Sequence, residues 1–442
     1  MPLRVGMVSL GCAKNQVDAE RMLYKIDKAG YKLVADAALS DVVIINTCGF
    51  IESAKQEAIE TILEFAELKK EGRIKRIIVT GCLAQRYKDD LMKEIPEADA
   101  CVGLGSNDQI CEIIEEVCRG ERVEKSGSKL LLPLTGGRIQ TTLPFYSYLK
   151  IAEGCSNGCA FCAIPQIRGK FRSVPMEELI AEAKTLAEWG VKELNVIAQD
   201  STQYGVDIYG EQRLPELLRE LCRIDGFKWI RVLYLYPERI TDELIEVIAE
   251  EEKIVKYIEM PIQHCDDGVL KAMRRSTTGA EISALIEKIR RRIPDVIIRT
   301  TLMTGFPGEG EDEFERLCEF VKNTRFDRLG VFAFSPEEGT LAAKMPETLT
   351  QEEKERRADI IMEIQMDIAA ENNEKLINKD IEVLCEGFDR YGECYFGRSA
   401  NDAPEIDGKV FFTAAGRKPS AGEFVTVHIN ETMDYDLIGE MK

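Results

Sequence analysis

The sequence predicts an α/β protein with three parts: an N-terminal open parallel-sheet domain, a central incomplete TIM-type (βα)6 barrel and a small C-terminal OB-like β-barrel. Short apolar runs alternate with helical periodicity at the start of the chain, six further strand-then-helix units follow, and short strands separated by glycines occupy the tail. The expected divisions are residues 1–120, a linker at 121–143, the barrel at 144–350, a connecting helix at 351–377 and the tail barrel at 378–442.

Apolar runs and helical periodicity define the N-terminal domain. A segment rich in glycine, serine and lysine, about residues 120–142, predicts the linker that follows it. The strands are predicted at Arg4–Leu10, Val42–Ile45 and Ile77–Val79, and the helices at about Val17–Ala29, Glu52–Lys69 and Ile110–Val117.

The central domain repeats a strand-then-helix unit six times. In a barrel of this type the active face lies at the carboxyl ends of the strands. The strands are predicted at Tyr146–Ala152, Glu193–Ala198, Trp229–Tyr234, Tyr257–Met260, Ile297–Met303 and Leu329–Phe334, with helices such as Val174–Trp189 and Ala280–Ile293 between them.

A long charged helix, predicted at Gln351–Leu376, joins the barrel to the tail. Thr350 and Glu353 have the spacing of a capping box at its start. Short strands separated by glycines then predict the small β-barrel, at Ile381–Leu384, Lys409–Thr413 and Phe424–Ile429.

Composition narrows the class of protein. With 45% hydrophobic and 31% charged residues, the 442-residue chain is typical of a soluble globular protein. No apolar run approaches the roughly 18 residues that span a bilayer, and no export signal is visible, so we expect a cytoplasmic location and no membrane. Fourteen cysteines there predict reduced thiols for packing, metal or catalysis. Only two histidines are present, which favours sulfur over histidine as the metal ligand.

The stretch GCSNGCAFC, residues 154–162, places Cys155, Cys159 and Cys162 on one loop directly after the first barrel strand. Tetrahedral zinc and cubane iron–sulfur clusters normally take four protein ligands. A zinc knuckle would need a fourth cysteine or histidine nearby, and none other lies between residues 140 and 221. Three thiolates on a 4Fe-4S cluster would leave one iron open to another ligand.

This Cys-x3-Cys-x2-Cys element resembles the radical S-adenosylmethionine superfamily. The resemblance implies that S-adenosylmethionine binds the open iron through its amine and carboxylate. It also implies that one electron from the reduced cluster cleaves the sulfonium and produces a 5′-deoxyadenosyl radical, which attacks an inert C–H bond. Phe161 and the segment Ile167–Arg172 could shield this cluster or touch the substrate.

A second set of three cysteines is dispersed along the N-terminal domain. Each lies within three residues of the end of a predicted parallel strand and beside a glycine: Cys12, Cys48 and Cys82. Because neighbouring strand tips lie about 4.8 Å apart, these thiols can meet at one crevice. Three separately buried cysteines are the alternative, but an iron–sulfur site elsewhere in the chain favours a second open cluster.

The other cysteines have no partners at ligand spacing, and the expected role is core packing. They are Cys101, Cys111, Cys118, Cys222, Cys318, Cys385 and Cys394. His264 and Cys265 follow the fourth barrel strand, where active-site residues lie, but we expect packing or a loop role for Cys265 rather than ligation.

Two three-cysteine sets, in domains of this type and order, resemble the methylthiotransferases over essentially the whole chain. The resemblance implies that the tail barrel is a TRAM domain that binds the macromolecular substrate. It implies two 4Fe-4S clusters and two S-adenosylmethionine molecules, one to methylate a sulfur at the auxiliary cluster and one to supply the radical. Further candidates for binding S-adenosylmethionine are Gln199, Asp200, Gln263 and Gly305 at strand ends, although Gln199 and Asp200 could equally form a capped loop.

Local sequence favours the branch that modifies an aspartate β-carbon of ribosomal protein S-twelve. Residues 48–62, 196–210 and 399–412 resemble that branch, while Cys265 departs from the glycine expected there. The net charge of −20 and an excess of acidic residues in the tail suit a basic protein partner. The alternatives are a methylthiotransferase acting on tRNA adenosine and a non-catalytic iron–sulfur or zinc protein. The expected electron donor is a flavodoxin or ferredoxin.

Overall fold

The structure is a computed structural model that describes residues 2–442, except for the side chain of Asp89. The chain forms two compact units that interleave along the sequence. The first contains the residues up to 141 together with 150–174 and 337–343, and the second contains 142–149, 175–336 and 344–442. Because these units do not follow chain order, the domain boundaries expected from the sequence stay predictions.

Six parallel strands form the main sheet of the first unit, in the order β2-β1-β3-β4-β5-β6. The three strands predicted here are confirmed, whereas β2, β5 and β6, of three residues each, are too short to give a sequence pattern. The elements are β1 (Arg4–Ser9), α1 (Ala13–Lys28), β2 (Lys32–Val34), β3 (Val42–Thr47), α2 (Glu52–Lys70), β4 (Arg76–Gly81), α3 (Cys82–Arg86), α4 (Lys88–Glu94), β5 (Ala100–Val102), α5 (Ile110–Cys118) and β6 (Val123–Lys125).

Alternate residues of β3 and β4 build two apolar layers, one on each face of this sheet. Val43 and Ile45 pack with α2, while Val42 and Ile44 pack with α1 and α5. All four are fully buried, and burial of each such side chain is worth about 1.5–3 kcal/mol. Strand β3 is buried on both faces because it lies inside the parallel sheet, between β1 and β4.

The central sheet has six strands in the order β14-β13-β12-β11-β10-β7, and neighbours from β10 to β14 pair in parallel. The predicted incomplete barrel is therefore confirmed. Its elements are β7 (Tyr146–Lys150), α7 (Met176–Glu188), β10 (Glu193–Ile197), α8 (Val206–Tyr209), α9 (Leu214–Cys222), β11 (Trp229–Val232), α10 (Asp242–Glu250), β12 (Ile254–Glu259), α11 (Asp267–Ala272), α12 (Gly279–Arg292), β13 (Ile297–Thr304), α13 (Glu311–Thr324) and β14 (Arg328–Ala333).

The predicted first barrel strand ends early, at Lys150. Beyond it, β8 (Ala152–Glu153) pairs with β9 (Arg172–Ser173) in a separate antiparallel ribbon, and α6 (Ile164–Arg168) lies between them. The cysteine loop is therefore carried by a short hairpin of the first unit.

The tail is the predicted closed barrel, with strand order β15-β16-β17-β19-β18. Helix α14 (Gln351–Glu374) precedes it, and the hydroxyl of Thr350 caps this helix by accepting from the Glu353 backbone. The predicted capping box also requires the Glu353 carboxylate to accept from the Thr350 backbone. That part of the prediction is wrong, because the carboxylate pairs with Arg356 and Arg357 instead. The strands are β15 (Asp380–Asp389), β16 (Cys394–Ser399), β17 (Val410–Ala414), β18 (Phe424–Met433) and β19 (Asp436–Met441).

No helix in the described part of the chain has both the length and the apolarity needed to cross a membrane.

Candidate active site

The dispersed cysteines lie at three neighbouring strand tips. Strand β3 pairs with β1 on one side and β4 on the other, so the loops after these strands are adjacent. Cys48 directly follows β3, Cys82 is the first residue of α3, and Cys12 precedes α1. A Cβ on Gly11 would lie 2.7 Å from the Cys48 Cβ, so glycine is what allows the Cys12 loop to approach Cys48. The structure places the three predicted cysteines on adjacent loops.

The three thiols have unequal surroundings. Cys82 is buried, Cys48 is half-buried and Cys12 is exposed. Burial raises the pKa of Cys82 to about 12, against the opposing charge of Arg168. Burial also raises the pKa of Cys48. At Cys12 desolvation by the surrounding protein raises the pKa. The charges of Lys14 and Arg168 and backbone hydrogen bonds have the larger effect, so the pKa of Cys12 is lowered overall.

The contiguous cysteines lie on the loop between β8 and α6. The loop doubles back on the residues that follow it, since the Cys155 N–H donates to the Gly169 carbonyl at 3.1 Å. Gly154 has a φ of +72°, and a Cβ there would lie 2.6 Å from the Gly169 oxygen. Cys155 and Cys159 are buried and Cys162 is half-buried. Burial, and secondarily the neighbouring thiols, raise the pKa of Cys162 to about 12.

Both cysteine sets belong to the first compact unit and pack against each other's helices. Cys82 shares an apolar cluster with Ala163 and Ile167, the residues just after Cys162. Among the described residues no three cysteine, histidine, aspartate or glutamate side chains converge as they would around a single metal ion. A cubane makes no such demand, because it binds each thiolate through a different iron.

Four buried charged side chains lie beside the cysteines, and of these the sequence analysis included only Arg168, within the segment Ile167–Arg172. The Arg168 guanidinium lies 3.0 Å from Asp18 and 3.0 Å from Glu153. Lys150 pairs with the same two carboxylates, at 2.8 Å from Glu153. All four side chains are at most 1% exposed. The available signal was their position, because Glu153 and Arg168 flank the cysteine motif, but nothing in the sequence shows that they are buried. We call these residues the ion quartet.

Family models match three consecutive parts of the chain. The uncharacterized protein family UPF0004 matches residues 4–103, the radical SAM superfamily matches 149–321 and the TRAM domain matches 377–441.

Full-length relatives decide the family. The chain is 51% identical over 438 residues to "Ribosomal protein uS12 methylthiotransferase RimO" of Lachnoclostridium phytofermentans, covering 99% of each chain. It is 51% identical over 440 residues to the protein of the same name from Clostridioides difficile, again covering 99% of each. The chain belongs to the RimO family of methylthiotransferases. The predicted family and its ribosomal branch are thereby confirmed.

Solved structures agree on the fold of the RimO family member. The radical S-adenosylmethionine methyltransferase TsrM of Kitasatospora setae, with tryptophan and a cofactor analogue bound, superposes with a TM-score of 0.57 at 12% identity. The match covers 75% of this chain and 73% of that one. At this identity the likeness shows the radical SAM fold alone.

Membership of the radical SAM superfamily implies a 4Fe-4S cluster and S-adenosylmethionine. The residues present fit such a group, since Cys155, Cys159 and Cys162 offer soft sulfur donors from one turned loop. The raised pKa of Cys162 is no obstacle, because a bound metal deprotonates a coordinating thiol. At the other set, Arg168 Nε is buried and has no hydrogen-bond partner in the described structure, which leaves a donor beside Cys82.

Asp200 has a structural role at the end of β10. It is fully buried and caps the turn Ser201–Gln203, accepting from the Thr202 N–H at 3.1 Å. Its second oxygen accepts from Arg239 at 2.9 Å. The structure therefore shows a capped loop at Asp200, and contact of Asp200 or of the half-buried Gln199 with S-adenosylmethionine stays a prediction.

Gln263 and Gly305 lie at the tips of neighbouring strands. Gln263 has a φ of +71° and bridges to Leu302 of β13 through its backbone. A Cβ on Gly305 would lie 2.8 Å from the Cβ of buried Lys354, so this glycine makes room for the start of α14. Both positions lie on the active face, and their contact with S-adenosylmethionine stays a prediction.

Cys265 is explained by its loop. The thiol donates to the Arg316 carbonyl at 3.6 Å, and burial followed by the charge of Asp266 raises its pKa to about 12. The neighbouring His264 is fully buried, with Nδ1 accepting from the Asp266 N–H at 3.0 Å and Nε2 3.3 Å from Glu309. These contacts agree with the expected loop role.

The remaining cysteines follow the packing prediction with one exception. Cys101, Cys222 and Cys385 are buried, and Cys111, Cys318 and Cys394 are half-buried. The prediction for Cys118 is wrong, because this thiol is exposed at the end of α5, where the apolar face of the helix has already turned away.

The acidic segment after β16 lies at the opposite end of the barrel from the active face. Asp407 accepts from Tyr257 at 2.6 Å, Asp402 pairs with Arg328 at 2.7 Å and Glu405 accepts from Tyr146 at 2.8 Å. These carboxylates accept hydrogen bonds from the barrel's own side chains. The charge argument for a basic partner therefore loses part of its basis, although the family membership does not depend on it.

Proposed function

We propose that this protein inserts a methylthio group at the β-carbon of an aspartate in ribosomal protein uS12. The names of its relatives indicate methylthio transfer to uS12 for them. The observation that carries the proposal is the presence of two three-cysteine sets in one compact unit. One lies on a single hairpin and the other on three adjacent strand tips.

Each set would hold one 4Fe-4S cluster through three thiolates: Cys155, Cys159 and Cys162 the radical-generating one, and Cys12, Cys48 and Cys82 the auxiliary one. When bound with S-adenosylmethionine, these groups supply the hydrogen-abstracting radical and the sulfur to be inserted.

The chain's own residues prepare both sites. The hairpin hydrogen bond from Cys155 to Gly169 fixes the first loop, and apolar packing of Ile167 on Cys82 excludes water from one side of the second set. Gln199, Asp200, Gln263 and Gly305 would contact S-adenosylmethionine at the strand tips. The TRAM barrel would hold the protein substrate, and a flavodoxin or ferredoxin would supply the electron. A cytoplasmic location stays a prediction.

Mass spectrometry of a deletion strain tests this function. We expect uS12 from cells lacking the gene to lose the methylthio group, and the wild-type gene to restore it. Cys155→Ala should fail to restore it, whereas the matched variant Cys118→Ala, which alters an exposed thiol outside both sets, should succeed. If instead hydrolysed tRNA loses a methylthio adenosine while uS12 keeps its mass, the tRNA alternative is correct.

A further inference from the structure

Arg168 is the one member of the ion quartet that lies next to the auxiliary cysteines. Its side chain is fully buried at the end of α6, six residues after Cys162. Its guanidinium donates to Asp18 and Glu153 at 3.0 Å each and reaches the Asn15 side chain at 3.3 Å. The charge is thus fixed in position from three directions.

Asn15 connects this guanidinium to the backbone of the auxiliary loops. Its side-chain amide donates to the Leu10 carbonyl at 2.8 Å and to the Thr47 carbonyl at 3.2 Å. Leu10 lies two residues before Cys12, and Thr47 directly precedes Cys48. A movement of Arg168 would therefore disturb the backbone of two of the three cysteine loops.

Stability alone does not explain a buried quartet. Removing two cations and two carboxylates from water costs free energy that their attraction only partly returns, and apolar replacements of such groups are often as stable. Arg168 Nε takes no part in the hydrogen bonds to Asp18, Glu153 and Asn15, and the Cys82 thiol is a hydrogen-bond partner of the guanidinium. A buried arginine beside thiols indicates an anionic partner.

Three thiolates on adjacent loops carry the charge that such a cation would balance. Arg168 directly follows Ile167, which packs on Cys82, and Asn15 joins its guanidinium to the loops of Cys12 and Cys48. The fixed charge therefore lies at the auxiliary cysteines.

We propose that Arg168 is a positioning residue whose fixed charge, held by Asp18 and Glu153, stabilises the reduced form of the cluster bound by Cys12, Cys48 and Cys82. This inference rests on the proposed function, because it assumes the auxiliary cluster. Reduction adds one electron to a site that already carries thiolate charge, and a fixed cation nearby makes that addition more favourable. Removing the cation should shift the midpoint potential to more negative values.

The experiment is an anaerobic redox titration followed by electron paramagnetic resonance. It uses the full chain carrying Cys155→Ala, so that the auxiliary cluster is observed by itself. Arg168→Met should lower the reduced-to-oxidised ratio at a fixed potential at least tenfold, which is about 59 mV for a one-electron couple. Arg168→Lys keeps the charge and should retain most of the potential.

Arg138→Met is the matched control. Arg138 is a buried arginine of the same unit that pairs with Glu20, a neighbour of Asp18 on α1. Its loss tests whether any broken buried ion pair moves the potential. An unchanged potential in Arg168→Met, or an equal shift in Arg138→Met, would overturn the inference.

A second variant guards against misfolding. Arg168→Met combined with Glu153→Gln leaves Lys150 paired with Asp18, so the quartet stays neutral, and a smaller negative shift is expected. If both methionine variants lose their iron while Arg168→Lys keeps it, a role through charge is supported. Loss of iron from all three would contradict it. If the Cys155→Ala parent itself binds no iron, the auxiliary cluster of the proposed function fails instead.

Discussion

The two cysteine sets of this protein are brought together by different kinds of structure. Cys155, Cys159 and Cys162 lie within eight residues, and one hairpin positions all of them. Cys12, Cys48 and Cys82 are brought together only by the pairing of β1, β3 and β4. The first site is a property of a local segment, whereas the second depends on a whole sheet. Mutations in the hairpin should therefore affect the first site alone. Mutations in the sheet should affect the second site together with the rest of the N-terminal domain.

Replacing one cysteine of each set should have the largest effect. Two cubane clusters predict roughly eight irons per chain, and either Cys155→Ala or Cys82→Ala should remove about half of them. Only Cys155→Ala should abolish cleavage of S-adenosylmethionine, because in the proposed function the cluster at Cys155, Cys159 and Cys162 supplies the electron that cleaves the sulfonium. Iron analysis and product chromatography after anaerobic reconstitution provide the measurement. Zinc in place of iron, or cleavage unaffected by Cys155→Ala, would refute both assignments.

Glycine-to-alanine changes should separate the loops with a slightly smaller effect. Gly154→Ala places a Cβ 2.6 Å from the Gly169 oxygen, and Gly11→Ala places one 2.7 Å from the Cys48 Cβ. We expect the first to lose radical-site iron and the second to lose auxiliary iron. Gly30→Ala is the control, since its φ of +85° matches that of Gly11 while no atom lies within 4 Å of the new Cβ.

All three substitutions share the cost of a left-handed alanine, about 1–2 kcal/mol. Iron content and thermal unfolding should therefore show destabilisation without iron loss in Gly30→Ala alone. Equal iron loss in all three would mean that backbone strain, rather than crowding at the cysteines, is responsible.

The buried amide of Asn15 should matter more than the exposed hydroxyl of Ser156. Asn15→Ala removes hydrogen bonds to Leu10 and Thr47 and leaves buried carbonyls unsatisfied, at a cost of about 1–3 kcal/mol. Ser156→Ala removes one acceptor for the Phe171 N–H, worth about 0.5–1.5 kcal/mol. Urea unfolding measures both. A larger loss in Ser156→Ala would show that the hairpin, not the sheet edge, is the more fragile support.

Cys265→Ala should have the smallest effect. The thiol makes one weak hydrogen bond at 3.6 Å to the Arg316 carbonyl, so we expect a stability change below about 1 kcal/mol. Iron content and S-adenosylmethionine cleavage should stay at the wild-type level. Loss of iron in this variant would identify a seventh ligand and would end the simple division into two sets.

Sequence reasoning worked best where a signal is local. The GCSNGCAFC loop and the longer strands follow from spacing and periodicity, since each needs only a few neighbouring residues. The three-residue strands β2, β5 and β6 give no pattern, and they form because the strand beside each of them offers unpaired backbone groups. The packing prediction for Cys118 is wrong because helical spacing does not show where a helix meets solvent.

The sequence by itself determined which thiols exist, their glycine neighbours, the parallel sheet and the family resemblance. Only the tertiary structure decided that Arg168, Asp18, Glu153 and Lys150 are buried together beside the cysteines, and that the acidic segment after β16 faces the base of the barrel. The physical reason is that the sequence gives the charge of each side chain but not whether folding removes that side chain from water. Whether a carboxylate meets water or an arginine depends on residues more than a hundred positions away.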